Sequence, residues 1–165
     1  MAAGALLVGC LPTYDDEPAA AECPSPPARS FVATVDRVVD GDTFVARRRG
    51  DRLRVRLIGV DAPESVRPGA PVECWGKRSS AVLRRLLPEG ADVRAAYQAG
   101  GRQDRYDREL WDVWSGGRFV AAQLVRRGAA RAVAYPPQVE HSDLLSRVEA
   151  AAAQDRVGLF GACDR

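Results

Sequence analysis

At 165 residues, 46% apolar and 28% charged, the chain has material for one globular domain with a fair-sized core and some overhang, and too little for a second full domain. A formal charge of +2 is too small to imply a nucleic-acid partner by itself. It is unevenly spread, however: the first thirty residues hold four acids against Arg29, which leaves residues 31–165 with 23 basic and 18 acidic groups and permits a polyanionic partner.

The N-terminus reads as processing signal and tether rather than fold. "MAAGALLVGC" ends in Leu7-Val8-Gly9-Cys10, which resembles a bacterial lipobox and makes Cys10 a candidate for lipidation. It lacks a charged leading region and is short for a signal, so a plain apolar end is the competing reading. From Leu11 to Ser30 the composition is rich in Pro, Ala and acids without periodicity, as in a disordered linker. Residues 1–30 are therefore assigned to signal and linker and residues 31–165 to the folded domain. No later stretch approaches the roughly 18 apolar residues of a membrane span.

Three β-rich runs follow, Phe31–Val39, Thr43–Arg48 and Leu53–Val60, separated by "DGD" and "RGDR", which predicts an antiparallel meander. Asp40-Gly41 is a hairpin signal because both residues tolerate positive φ. The second carboxylate, Asp42, then opens a strand, where Val or Thr is favoured. On the third strand Leu53, Val55 and Leu57 share one face while Arg54, Arg56 and Ile58 share the other, so Arg56 leaves the core face. That strand runs into "DAPES", with Asp61 at its end and Glu64 beyond Pro63. Two chain reversals can bring Asp61 beside Asp42. Two carboxylates, a backbone carbonyl and water suit a hard divalent cation, although ordinary turn chemistry explains either acid alone.

Farther along, "GKRSSAVLRRLL" predicts a helix from Gly76 to Leu87 that stops at Pro88. Val93–Tyr97 and Leu110–Trp114 read as strands, and Val120–Arg127 and Leu144–Asp155 as helices. Five short strands interleaved with three helices suggest an α+β, mainly β fold: a five-stranded OB-type barrel. "QDRYDREL" clusters Asp104, Arg105, Tyr106, Asp107 and Arg108 before a strand. A carboxylate metal site, a glutamate and two guanidinium groups are the parts of a metal-assisted phosphodiester hydrolase. Of the four cysteines, Cys74 and Cys163 could close a long loop and pin the C-terminus, while Cys23 is left over. His141 is the sole histidine, and no Cys/His spacing suggests zinc.

The separated segments "VVDGDTFVA", "RVRLIGVDAPES", "VECWG", "DRYDRELW" and "LVRRGAARA" together resemble the staphylococcal nuclease family, in consistent order from about Ala33 to Phe160. The resemblance implies an OB-type barrel with three helices and a Ca²⁺-dependent nuclease that cleaves DNA and RNA to 3′-phosphate ends. It assigns Asp42, Asp61 and the backbone carbonyl of Ala62 to Ca²⁺, Glu64 to the general base, and Arg56 and Arg108 to the phosphate. Tyr106 is expected to line the nucleotide site, with Tyr135 near the place of a second tyrosine. The implied alternative is a domain that holds nucleic acid with little or no catalysis. An exported protein, lipid-anchored in the bacterial envelope or secreted, is expected; no protein partner is implied, and a monomer is anticipated. Three departures stand out: Asp107 where the family commonly has Gly, Asp112 in a strand position usually apolar, and Lys77-Arg78 at a helix N-terminus whose dipole favours acids.

Overall fold

The computed structural model describes residues 24–65, 69 and 71–163. Strands β1 (Phe31–Val38), β2 (Thr43–Arg48) and β3 (Asp51–Leu57) form the expected antiparallel meander. Arg48 pairs with Asp51, so the β2–β3 turn needs only Arg49 and Gly50, at φ 53° and 93°. Two consecutive positive φ values match the right-handed strand twist in a two-residue hairpin.

β5 (Asp92–Ala96) pairs with β1, and β6 (Glu109–Ser115) pairs antiparallel with β5. β6 also runs parallel to β3, with Val55 opposite Glu109 and Leu57 opposite Trp111, and this contact closes a five-stranded barrel. Short β7 (Arg118–Phe119) continues the sheet past β6, while β4 (Val60–Asp61) pairs separately with β8 (Arg131–Ala132). The three expected helices are α1 (Gly76–Leu86), α2 (Val120–Arg126) and α3 (Ser142–Gln154), and a single turn, α4 (Leu159–Ala162), is added.

Alternation along the strands turns Phe44, Ala46, Val55, Leu57, Trp111 and Val113 into the barrel, where they are all buried. Residues Val120–Val125 of α2 are buried, as expected of a helix apolar on every side and packed in the interior. Trp111 and Trp114 are core. Trp75 is only partly buried, beneath the Arg78 guanidinium at 4.3 Å.

Several features depart from the sequence reading for local reasons. β3 ends at Leu57 because Gly59, at φ 79°, turns the chain, and this carries Ile58 inward instead of leaving it beside Arg56. Pro24–Ser30, assigned to the linker by composition, contacts the barrel: the Trp114 Nε1–H donates to the Pro24 carbonyl. The His141 ring makes no side-chain cap to α3 and instead packs on Phe119 at 4.8 Å between centroids. Cys74 is bonded to Cys163 across 89 residues, tying the start of α1 to the end of α4. Cys10 and Cys23 lie outside the described residues. No described helix is long and apolar enough to cross a membrane.

Candidate active site

The loop between β1 and β2 is built around carboxylates. The Asp42 N–H donates to Asp40 Oδ1 at 3.1 Å, and the N–H groups of Val39 and Asp40 both donate to the Thr43 carbonyl. Gly41 does not take the positive φ expected of it. Its missing side chain serves a close approach instead: a Cβ there would lie 2.5 Å from Ala62 Cβ and 2.8 Å from Ser79 Cβ. The turn therefore lies against the segment after β4, and Asp42 Oδ2 accepts the Ala62 N–H at 2.8 Å. Thr43 Oγ1 donates to Asp42 Oδ1 at 3.0 Å, and only 6% of Asp42 is exposed.

Thr43 faces Arg56 in the β2–β3 register, which sets the guanidinium beside Asp42. Arg56 Nη1 lies 3.0 Å from Asp42 Oδ2 and donates to the Val60 carbonyl at 2.8 Å, while Nη2 contacts Asp61 Oδ1 at 2.8 Å. Arg56 leaves the core face as predicted but is held across the site, with 11% of its side chain exposed. Burial pushes the Asp42 carboxyl up to about 6, with Arg56 opposing and Asp40 adding to the rise.

Among the described residues no group of three or more His, Cys, Asp or Glu side chains could hold a metal ion. Any cation must rely on two carboxylates supplemented by backbone and water. Asp42 and Asp61 fit that role: two oxygen donors from different strands already flank a single positive group. Oxygen-only donors suit a hard cation, and the Ala62 carbonyl lies on the adjacent segment.

Arg108 approaches from the β5–β6 connection. Its Nε and Nη2 both lie 2.7 Å from Asp104 Oδ2, and Nη1 lies 3.4 Å from Thr43 Oγ1, which joins this arm to the Asp42 cluster. Asp104 Oδ1 accepts the N–H groups of Tyr106 and Arg108 at 2.9 and 3.1 Å. Burial works against the Asp104 charge, yet the bonds from Arg108 and these two N–H groups hold its carboxyl below the usual range. The sequence reading gave Asp104 no role; its four-residue spacing from Arg108 within a turn was the available signal. Asp107 adopts φ 58°, the left-handed conformation that makes glycine the family's usual choice.

Arg56, Asp61, Arg108, Tyr106, Tyr135 and Gln138 line an open cleft of about 710 Å³. Tyr106 and Tyr135 are 58% and 60% exposed, and Arg105 and Arg108 lie over the Tyr106 ring at 4.8 and 5.4 Å. The structure thus brings Arg56, Asp61, Arg108, Tyr106 and Tyr135 to one cleft, with Asp42 and Ala62 joined to it behind Arg56. Glu64 is not among the described residues that line the cleft. Its Oε1 accepts the Ser65 N–H at 2.9 Å, and its backbone is pinned to Glu73, which accepts the Glu64 N–H at 3.0 Å and donates to the Glu64 carbonyl at 2.9 Å. Glu73 as the brace of this loop was not foreseen.

Comparison with known proteins agrees with this geometry. The profile described as "Staphylococcal nuclease homologue" matches residues 54–161. The chain is 36% identical over 126 residues to Thermonuclease of Staphylococcus intermedius, covering 76% of this chain and 74% of the relative. It is 38% identical over 115 residues to Thermonuclease of Staphylococcus hyicus, covering 70% and 67%. To Endonuclease YncB of Bacillus subtilis (strain 168) it is 31% identical over 128 residues, covering 77% and 60%. With this extent of similarity, over a barrel whose acids and arginines meet at one cleft, the chain belongs to the staphylococcal nuclease family.

Proposed function

We propose that the chain is a Ca²⁺-dependent nuclease that hydrolyses phosphodiester bonds of DNA and RNA and leaves 3′-phosphate ends. The observation that carries this reading is the junction of Arg56, bridging Asp42 and Asp61, with Arg108, clasped by Asp104, at an open cleft. Relatives named thermonuclease and endonuclease support the reaction class.

Asp42, Asp61 and the Ala62 carbonyl would hold the cation, which when bound neutralises a phosphate oxygen. Arg108 enters the cleft with its guanidinium already oriented by Asp104, so little side-chain freedom is lost on meeting phosphate. Arg56 holds Asp42 and Asp61 side by side through its two ion pairs, and presents positive charge to the developing negative charge on the phosphoryl oxygens. The two exposed tyrosine rings offer faces for sugar and base. Glu64 acts as general base, removing a proton from the attacking water, an effect typically worth about 10²–10⁴ in rate. For this its carboxylate must turn from the Ser65 N–H toward the cleft, the tightening on substrate that catalytic side chains often undergo.

A second reading, a domain that binds nucleic acid without cleaving it, is favoured by the position of Glu64 outside the cleft lining. Hydrolysis of single-stranded DNA and RNA by the full chain in excess Ca²⁺, then in chelator, beside Glu64→Gln, separates the two. Ca²⁺-dependent cleavage that collapses in the variant supports the nuclease, and end-labelling of the products reports the 3′-phosphate. Salt-sensitive binding without cleavage supports the second reading. We further place the protein outside the cytoplasm, as a monomer secreted or anchored through Cys10, because the Cys74–Cys163 bond suits an oxidising compartment. Mass spectrometry of the intact native protein tests this: a free Cys10 on an unprocessed N-terminus would remove the anchor.

A further inference from the structure

Beside the active cleft lies a second open groove, of about 600 Å³, which no step above uses. Its floor carries the rings of Phe31 and Tyr97, with centroids 5.3 Å apart, and its rim carries Arg29, Arg48 and Arg102. The Arg48 guanidinium lies over the Phe31 ring, 3.7 Å from its centroid, and that of Arg102 over the Tyr97 ring at 5.0 Å. The Tyr97 hydroxyl donates inward to Glu109, so the ring presents its face to the groove rather than its polar edge.

The charge of this groove is poorly compensated. Among the described residues no carboxylate pairs with Arg48 or Arg102, whereas Arg47 and Arg52 on the neighbouring surface are both engaged by Asp36. Arg29 meets Glu140 only at 3.7 Å, and both side chains are more than half exposed, an arrangement that solvent screens. Glu109, the acid beneath the floor, is buried and committed to Tyr97 and Gln103. Guanidinium groups over aromatic rings keep N–H groups available for phosphate, and aromatic and guanidinium surfaces together can accept a base.

Position decides what the groove would hold. A single connection separates it from the active cleft: Arg102 lines the groove, while Asp104, Tyr106 and Arg108 a few residues on line the cleft. This partition is anchored, since the Leu110 N–H donates to the Arg102 carbonyl at 2.7 Å and Gln103 bridges to Glu109. We propose that the groove is a second single-stranded nucleic-acid site, which holds phosphates of the strand between Arg48 and Arg102 after that strand has crossed the partition from the cleft. The proposal rests on the nuclease reading only for the strand's identity as substrate. The groove gives long strands affinity that short ones lack.

The test measures binding separately from cleavage. The full chain, in chelator, is titrated with a labelled single strand of about 12 nucleotides, within the ~4–16 that one barrel of this type spans, and with one of about 3 nucleotides by competition. Arg48→Ala/Arg102→Ala is expected to weaken the long strand about tenfold and to flatten its log–log salt slope by about 1.4, or about 0.7 per phosphate. The short strand should be unaffected. Arg102→Glu alone, on an exposed loop, should weaken the long strand in the same direction and guards against misfolding of the double variant. Long-strand affinity unchanged in folded Arg102→Glu, or equal losses for both lengths, overturns the proposal. Wild-type cleavage with Ca²⁺ is recorded in parallel: without cleavage but with the length-dependent loss, the groove stands and the nuclease reading falls. Cleavage without that loss has the opposite meaning.

Discussion

Asp112→Asn should stabilise the protein, by an amount that depends on pH. Asp112 lies on β6 with 3% exposure; its Oδ2 accepts from Gln98 Nε2 at 2.9 Å and lies 3.5 Å from His141 Nε2, while Oδ1 has no partner among the described residues. Burial pushes its carboxyl from 3.8 up to about 7, with the Gln98 bond opposing and the Glu140 charge adding. A carboxyl raised in the folded state binds its proton more tightly there than in the unfolded chain, so stability falls as pH rises from about 3.8 toward 7 and levels off above. At 1.36 kcal/mol per pKa unit, the penalty is about 4 kcal/mol above pH 7 and about half that near pH 5.4. Burial lowers the His141 pKa, so the ring adds its own loss as pH falls from the ordinary imidazole value of 6.5 toward the lower folded one. Asparagine keeps an oxygen for Gln98 and carries no charge. Urea unfolding of both proteins from about pH 4 to pH 8 should therefore give a stability gain near zero at the acid end, growing to a few kcal/mol. A gain independent of pH, or a loss at pH 8, would refute the reasoning. Ile58, Gly59 and Gln138 line both the space beside Asp112 and the active cleft, so the stabilised variant also tests whether this buried charge affects the cleft floor.

Gly41→Ala places a methyl 2.5 Å from Ala62 Cβ and should cost about 1–3 kcal/mol in chemical unfolding, as overpacking does, while weakening the Asp42 to Ala62 bond. Reduction of Cys74–Cys163 should lower stability by about 4–5 kcal/mol in the chain-entropy picture for a loop of this length, read as a drop in Tm with reductant. Arg108→Lys keeps the charge but loses the two contacts to Asp104, and kcat/KM should fall about 10²–10³ with Tm nearly unchanged. Asp107→Gly relieves a left-handed aspartate, and unfolding should show a gain of up to about 1 kcal/mol with tighter substrate binding.

By itself the sequence determined the meander, the first two helices to within one residue at their ends, and the apolar alternation that buries Phe44, Val55 and Trp111, because these follow from local periodicity and turn chemistry. It allowed Asp42 and Asp61 to converge, since two reversals can bring the third strand's end beside the second strand's start, while the Arg56 bridge between them came from the Thr43–Arg56 register. Other features were decided only by tertiary structure. Gly41 is needed for its lack of a side chain rather than for its φ, a fact that depends on Ala62 and Ser79 arriving from elsewhere in the chain. Asp112 had no local rationale because Gln98 and His141, which surround it, are brought there by β5 and α3. The groove of Arg48 and Arg102 joins strand and loop residues 54 positions apart across a closed barrel, and closure is the long-range β3–β6 pairing that no local pattern encodes.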